Sequence, residues 1–122
     1  LVGSEMCIRD RFYWYIRPQE TGNKTDVRWL ALLNSEGEGV KITGLQPIAF
    51  SALHFSPEDL DPGLTRKLQH TIDIVPQKNI FLHVDLKQRG LGGDNSWGMY
   101  PHNKYRLLDK KYVYSYMIEL ID

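Results

Sequence analysis

Short runs of aromatic and β-branched residues, broken every few positions by Gly, Asn, Asp or Pro, dominate this chain and leave almost no room for a helix of useful length. Such runs favour strands because branched and aromatic side chains pack well on a pleated surface, while the residues between them take the backbone angles a reversal needs. Residues 12–17, Phe-Tyr-Trp-Tyr-Ile-Arg, read as one strand and Val27–Leu33 as the next; the second turns continuously apolar after Trp29, as a strand covered on both faces would. Gly22 and Asn23 between them tolerate positive φ and predict a hairpin. Asn34–Gly39 reverses the chain again into Val40–Leu45, and Ile48–Phe55 follows Pro47 as a further strand. His70–Val75, Ile80–Gln88 and Lys111–Leu120 are the later strand candidates. In Ile80–Gln88, Ile80, Leu82, Val84 and Leu86 make an apolar face against Phe81, His83 and Asp85; in the last run Tyr112, Tyr114, Tyr116 and Ile118 share one side while Val113 and Met117 fit no single clean partition, which suggests a covered exterior as well as an interior. The single helix signal is Ser56-Pro57-Glu58-Asp59, with a capping serine, proline at the first helical position and acids where the helix dipole favours them. The expectation is an all-β fold, an antiparallel β-sandwich.

Composition narrows the partners. With 122 residues, 42% hydrophobic and 25% charged, there is material for one domain at most. Fifteen Lys plus Arg balance fifteen Asp plus Glu without a run of like charge, so no electrostatic footprint for nucleic acid or anionic lipid is present. No apolar run approaches the roughly 20 residues of a membrane-spanning helix, and the expectation is a soluble chain. The sole cysteine, Cys7, lies in Leu1–Arg11. Read back into codons, that segment resembles a transposon adapter ligated to DNA for sequencing, so residues 1–11 are expected to be foreign and residues 12–122 native. Different codons upstream of residue 12 in the source DNA would support this, and the same codons would refute it.

The chemistry-bearing residues are sparse. Glu58, Asp59 and Asp61 point in different directions on one short turn and are explained by helix capping, whereas glycoside hydrolysis needs two carboxylates roughly 5 to 9.5 Å apart across the bond. Glu20, Asp26, Asp73, Asp85 and Asp94 sit singly, and His54, His70, His83 and His102 show no metal-binding spacing. The expectation is no catalytic residue and no metal ligand in this chain. One loop stands out, Arg89–Gly98, Arg-Gly-Leu-Gly-Gly-Asp-Asn-Ser-Trp-Gly. It lacks the glycine spacing of a dinucleotide site, the Gly-Lys-Ser/Thr of a P-loop and a helix directly after it. Gly90, Gly92, Gly93 and Gly98 suit a tight reversal, Asp94, Asn95 and Ser96 can tie it down, and Trp97 can project as a flat aromatic face.

The stretch Tyr15–Trp29, the loop and the Lys111–Leu120 tail, in that order, resemble the carboxy-terminal small-chain domain of bacterial β-galactosidases of glycoside hydrolase family 2. Arg17, Pro18, Gln19, Glu20, Gly22, Asn23, Asp26, Val27, Arg28 and Trp29 fit the family's first motif, with Thr21 and Lys24 departing from it; Gly90 and Gly92–Gly98 fit the second. The resemblance implies a galactose-mutarotase-like supersandwich of which this chain lacks the amino-terminal side. It implies hydrolysis of terminal β-D-galactosides such as lactose by a parent enzyme whose catalytic glutamates, magnesium and monovalent cation belong to polypeptide upstream, in a barrel domain. It also implies a homo-oligomeric parent, an inactive isolated chain, and a substrate-stacking role for Trp97. Arg17 and Arg28 are expected to pair with Glu20, Asp26 or a neighbouring domain. A free-standing carbohydrate-binding module, or a purely structural β-sandwich, is the alternative.

Overall fold

The computed structural model describes residues 22–61, 70, 73–90, 95 and 98–122. These form a four-stranded antiparallel sheet with one short helix, so the architecture is all-β and sandwich-like in class. Strand β1 (Lys24–Leu33) runs into β2 (Gly39–Leu53), then come α1 (Pro57–Leu60), β3 (Phe81–Asp85), a 3₁₀ turn (Asn103–Tyr105) and β4 (Tyr116–Ile121).

The organising element is β2. Its one edge carries β1 and its other carries two strands end to end: β4 against Gly39–Gly44 and β3 against Ala49–Leu53. The sequence predicts two strands separated near Pro47, whereas the chain makes one bulged strand. Val27 pairs with Ile48 and Trp29 with Thr43, leaving Gly44–Pro47 opposite a single residue of β1. A bulge needs no ladder bond from the proline nitrogen, which is how Pro47 is accommodated inside a strand. Gly44 is required there, because a Cβ at that position would lie 2.9 Å from Cγ2 of Ile48. Where β4 ends and β3 has not begun, Leu45 donates its N–H to Ser115 O (3.0 Å), and the Gln46 side chain both donates to Ser115 O (3.1 Å) and accepts from Ser115 N (3.3 Å). A side-chain amide thus replaces a backbone bridge. The β1–β2 turn is closed by Asn34 Oδ1, which accepts from Glu36 N and Glu38 N at 2.9 and 3.0 Å, with Gly37 at φ +90. Gly22 also adopts the left-handed region (φ +67), as its sequence context predicts; the first strand of the expected hairpin, residues 12–17, lies outside the described residues.

The main core joins Leu30, Ile42, Ile48 and Phe50, flanked by Val27, Leu32, Ala52, Leu82 and Val84. Leu82 and Val84 therefore face the interior, as their alternation predicts. A second cluster, Phe55, Leu60 and Ile74 with Leu53 against it, is sealed by α1. Ser56 Oγ accepts from Asp59 N (3.2 Å) and Asp59 Oδ2 accepts from Ser56 N (2.8 Å), a reciprocal cap that satisfies two donors.

Two strand expectations require correction. Of His70–Val75, the described residues form no strand: Asp73 N donates to His70 O (2.9 Å) and His70 N to Asp73 Oδ2 (2.7 Å), a local turn that competes with a ladder and delivers Ile74 as a single plug. In the last run the strand itself begins only at Tyr116, and ahead of it the Tyr112 hydroxyl accepts from Asp109 N (2.8 Å). In β4, Ile118 pairs with core residue Ile42 and Leu120 with Val40, so both lie on the core side of the sheet, yet they are 60% and 80% exposed. Met117, on the opposite face, is 50% exposed. The second layer that a strand of this pattern calls for is not supplied by the described residues.

Candidate functional site

The loop singled out by the sequence begins just after β3. Its root is held by several contacts. Gln88 Nε2 donates to Asp85 Oδ2 (2.9 Å), and Gly90 N donates to Tyr105 O (2.7 Å) in the 3₁₀ turn. Gly90 touches that turn so closely that a Cβ would fall 2.7 Å from Tyr105 Cβ and 3.6 Å from Pro101 Cβ. Pro101 is buried, and Tyr105 N donates to His102 O (2.8 Å), so the far root is anchored too. Gly98 has φ +116 in open space, a conformation that L side chains rarely adopt. Glycine at 90 is therefore explained by close approach and glycine at 98 by backbone angle. Asn95 is exposed; Gly92, Gly93, Asp94, Ser96 and Trp97 lie outside the described residues.

Around the roots stand aromatic residues that the sequence reading did not single out. Tyr100 and Tyr105 are 66% and 54% exposed. The Arg106 guanidinium lies 4.7 Å from the Tyr100 ring centroid, and Lys104 Nζ lies 4.5 Å from that of Tyr105. Arg106 is itself braced, its Nη1 donating to Asn103 Oδ1 (3.2 Å) and its backbone N–H to Asn103 O (3.1 Å). The signal that could have revealed them is the run Lys104-Tyr105-Arg106 beside a glycine-rich turn.

The acids and histidines are dispersed. Asp59 is committed to the helix cap: the backbone N–H of Ser56 holds its carboxyl below the usual carboxylate range, against a desolvation that raises it, with Gln77 and the Ser56 hydroxyl adding to the lowering. A depressed folded-state pKa means this cap is intact above the ordinary value of 3.8 and is lost as pH falls through the lowered one. Such a carboxyl is a poor proton donor near neutrality. His54 Nδ1 hydrogen-bonds Gln77 O at 2.9 Å, and His70 lies 3.5 Å from Asp73. Among the described residues no three His, Cys, Asp or Glu side chains gather as a metal site would require. Arg28 and Asp26 form no ion pair with each other or with another described residue; Arg17 and Glu20 lie outside them. An open cleft lined by Leu33, Asn34, Glu38, His54 and Ile80 sits by the β1–β2 turn, and none of its described lining residues belongs to the glycine loop.

The chain is similar to known proteins along nearly its whole length. Residues 5–118 match the sequence model of the β-galactosidase small chain. A β-galactosidase of Priestia megaterium is 37% identical over 100 residues, covering 82% of this chain and 9% of that protein. The β-galactosidase BgaC of Bifidobacterium adolescentis is 36% identical over 96 residues, covering 76% of this chain and 9% of its own length. A β-galactosidase of Streptococcus thermophilus is 30% identical over 117 residues, covering 94% of this chain and 11% of that protein. The chain thus spans about a tenth of the length of these relatives. On this similarity the chain belongs to the β-galactosidase small-chain family.

Proposed function

We propose that residues 12–122 are part of the carboxy-terminal domain of a glycoside hydrolase family 2 β-galactosidase that cleaves terminal β-D-galactosides such as lactose, and that residues 1–11 are not native. The observation that carries the family part of this reading is the match to the small-chain family over residues 5–118; because that match includes residues 5–11, it lends no support to a foreign origin of residues 1–11, which rests on their codons alone. In it, the bond-breaking carboxylates, the magnesium and the monovalent cation are held by polypeptide outside this chain, and the parent enzyme is a homo-oligomer. This chain contributes a binding wall. The loop Gly90–Gly98, rooted on Pro101 and Tyr105, holds Trp97 toward a pocket completed by the barrel domain. An indole face against the C–H patch of a galactose ring excludes water there, and its single N–H can meet a hydroxyl. A wall of this kind binds ground and transition states alike, so its contribution falls on KM.

The test is hydrolysis of lactose by the full-length protein encoded at the native locus, set beside the 122-residue chain alone. Turnover by the former and none by the latter is the expected result. Absence of activity in the full-length protein, with the chain still retaining a galactoside on equilibrium dialysis, would favour a free-standing binding module instead.

A further inference from the structure

We infer that the sheet carries a hinge at residues 45–47 and that the tail segment, residues 112–115, is the strap that latches it. The latch is mechanical, and it holds whether or not a parent enzyme cleaves galactosides.

Among the described residues, Leu45, Gln46 and Pro47 have no ladder partner on either edge of β2. On one edge the register with β1 passes from Thr43 opposite Trp29 straight to Ile48 opposite Val27. On the other, β4 stops at Gly44 and β3 starts at Ala49. A strand bends where its ladder is disrupted, and here the disruption crosses the width of the sheet at one level. That level divides residues 24–27, residues 48–53 and β3 from residues 29–33, residues 39–44 and β4. Leu30 and Ile42 meet Ile48 and Phe50 across it, but apolar contact is non-directional and does not by itself fix the angle between the two halves.

The tail supplies directional bonds across the break. Ser115, next to β4, is clipped to the break by Leu45 N and by the nitrogen and oxygen of the Gln46 side-chain amide. One residue earlier, the Tyr114 hydroxyl donates to Val84 O (2.9 Å) and so reaches β3 in the other half. Tyr112 continues the line, with Lys87 Nζ, just beyond β3, 5.8 Å from its ring centroid. The Tyr114 ring packs beside that of Tyr116, the first residue of β4, at 5.9 Å between centroids. The tail is therefore rooted in one half and bonded to the other. Because β3 leads through Gln88 to Gly90, the latch also sets where that loop root stands relative to β4.

Amide hydrogen exchange of the full-length protein encoded at the native locus, mapped by mass spectrometry of its peptides, tests the latch without reference to turnover. Tyr114→Phe removes the hydroxyl bond to β3 and keeps the ring, and Gln46→Ala removes the clip. Each is expected to speed exchange in peptides covering residues 44–48 about three- to tenfold, the size of one or two hydrogen bonds. Residues 29–33 and Phe81–Asp85, inside the two halves, should stay within about twofold of the wild type. The Tyr114 hydroxyl bonds β3 and not the break, so faster exchange at Leu45 in Tyr114→Phe reports opening of the hinge and not the loss of a local contact. Should Gln46→Ala fail to accumulate, Tyr114→Phe alone decides. Equal acceleration in every strand would mean that these side chains serve general stability, and no acceleration at residues 44–48 would mean that nothing is latched; either result overturns the hinge. Galactoside hydrolysis is measured separately on the same protein, so the two readings can fail independently.

Discussion

Ile48→Ala is expected to remove most of the stability of this sheet. Ile48 is 1% exposed and packs with Leu30, Ile42 and Phe50, the four residues that make the core of the sheet. It also fills the space where a side chain on Gly44 would stand, so it closes the bulge that lets β2 pass Pro47 and still pair with β1, β3 and β4. Truncating a buried isoleucine costs about 2–5 kcal/mol, depending on how far the cavity collapses. Whole domains are stable by only about 5–15 kcal/mol, and the close packing at the bulge leaves little to collapse. Urea unfolding of the chain, followed by near-ultraviolet circular dichroism, should show the midpoint fall steeply or the cooperative transition disappear. A loss below about 0.5 kcal/mol, the range of surface substitutions, would show that the core has been misassigned.

The second large effect concerns β4. Tyr116, Ile118 and Leu120 lie on the core side of the sheet, yet are 42%, 60% and 80% exposed, and Met117 on the opposite side is 50% exposed. The outer edges of β1, β3 and β4 have no strand beside them among the described residues. Apolar surface of this kind combined with open ladder edges drives association. The isolated chain should therefore form concentration-dependent oligomers in sedimentation velocity, and the double change Ile118→Lys, Leu120→Lys should shift it to monomer. A wild-type chain that stays monomeric throughout the micromolar range would contradict this reading of β4.

The legible parts of the fold were those set by local chemistry. Gly37 and Asn34 fix a turn by backbone angle and side-chain acceptance, and Ser56 with Asp59 writes a cap in consecutive residues. Leu82 and Val84 reveal their face through simple alternation. What escaped the sequence depends on distant partners. Pro47 is admitted to a strand only because Val27 and Trp29 leave a bulge opposite it, and Ser115 becomes a bridge only because Gln46 lies across from it, 69 residues away. The described residues of His70–Val75 depart from the expected strand because the Asp73 carboxylate accepts the His70 N–H, a competition that periodicity does not register. In the candidate site, the need for glycine at 98 was legible as a backbone angle. Gly90 is different: it is explained by the approach of Tyr105, and the Tyr100–Arg106 stack likewise depends on a turn that contains no conspicuous motif.

The kinetics of Trp97→Ala in the full-length protein test the central claim most directly. Burying one face of an indole against a sugar contributes about 1–2 kcal/mol, so KM for lactose should rise about five- to thirtyfold while kcat falls much less. An unchanged KM with a large loss of kcat would contradict the account, because the tryptophan would then act in the chemical step and not as a wall for the galactoside.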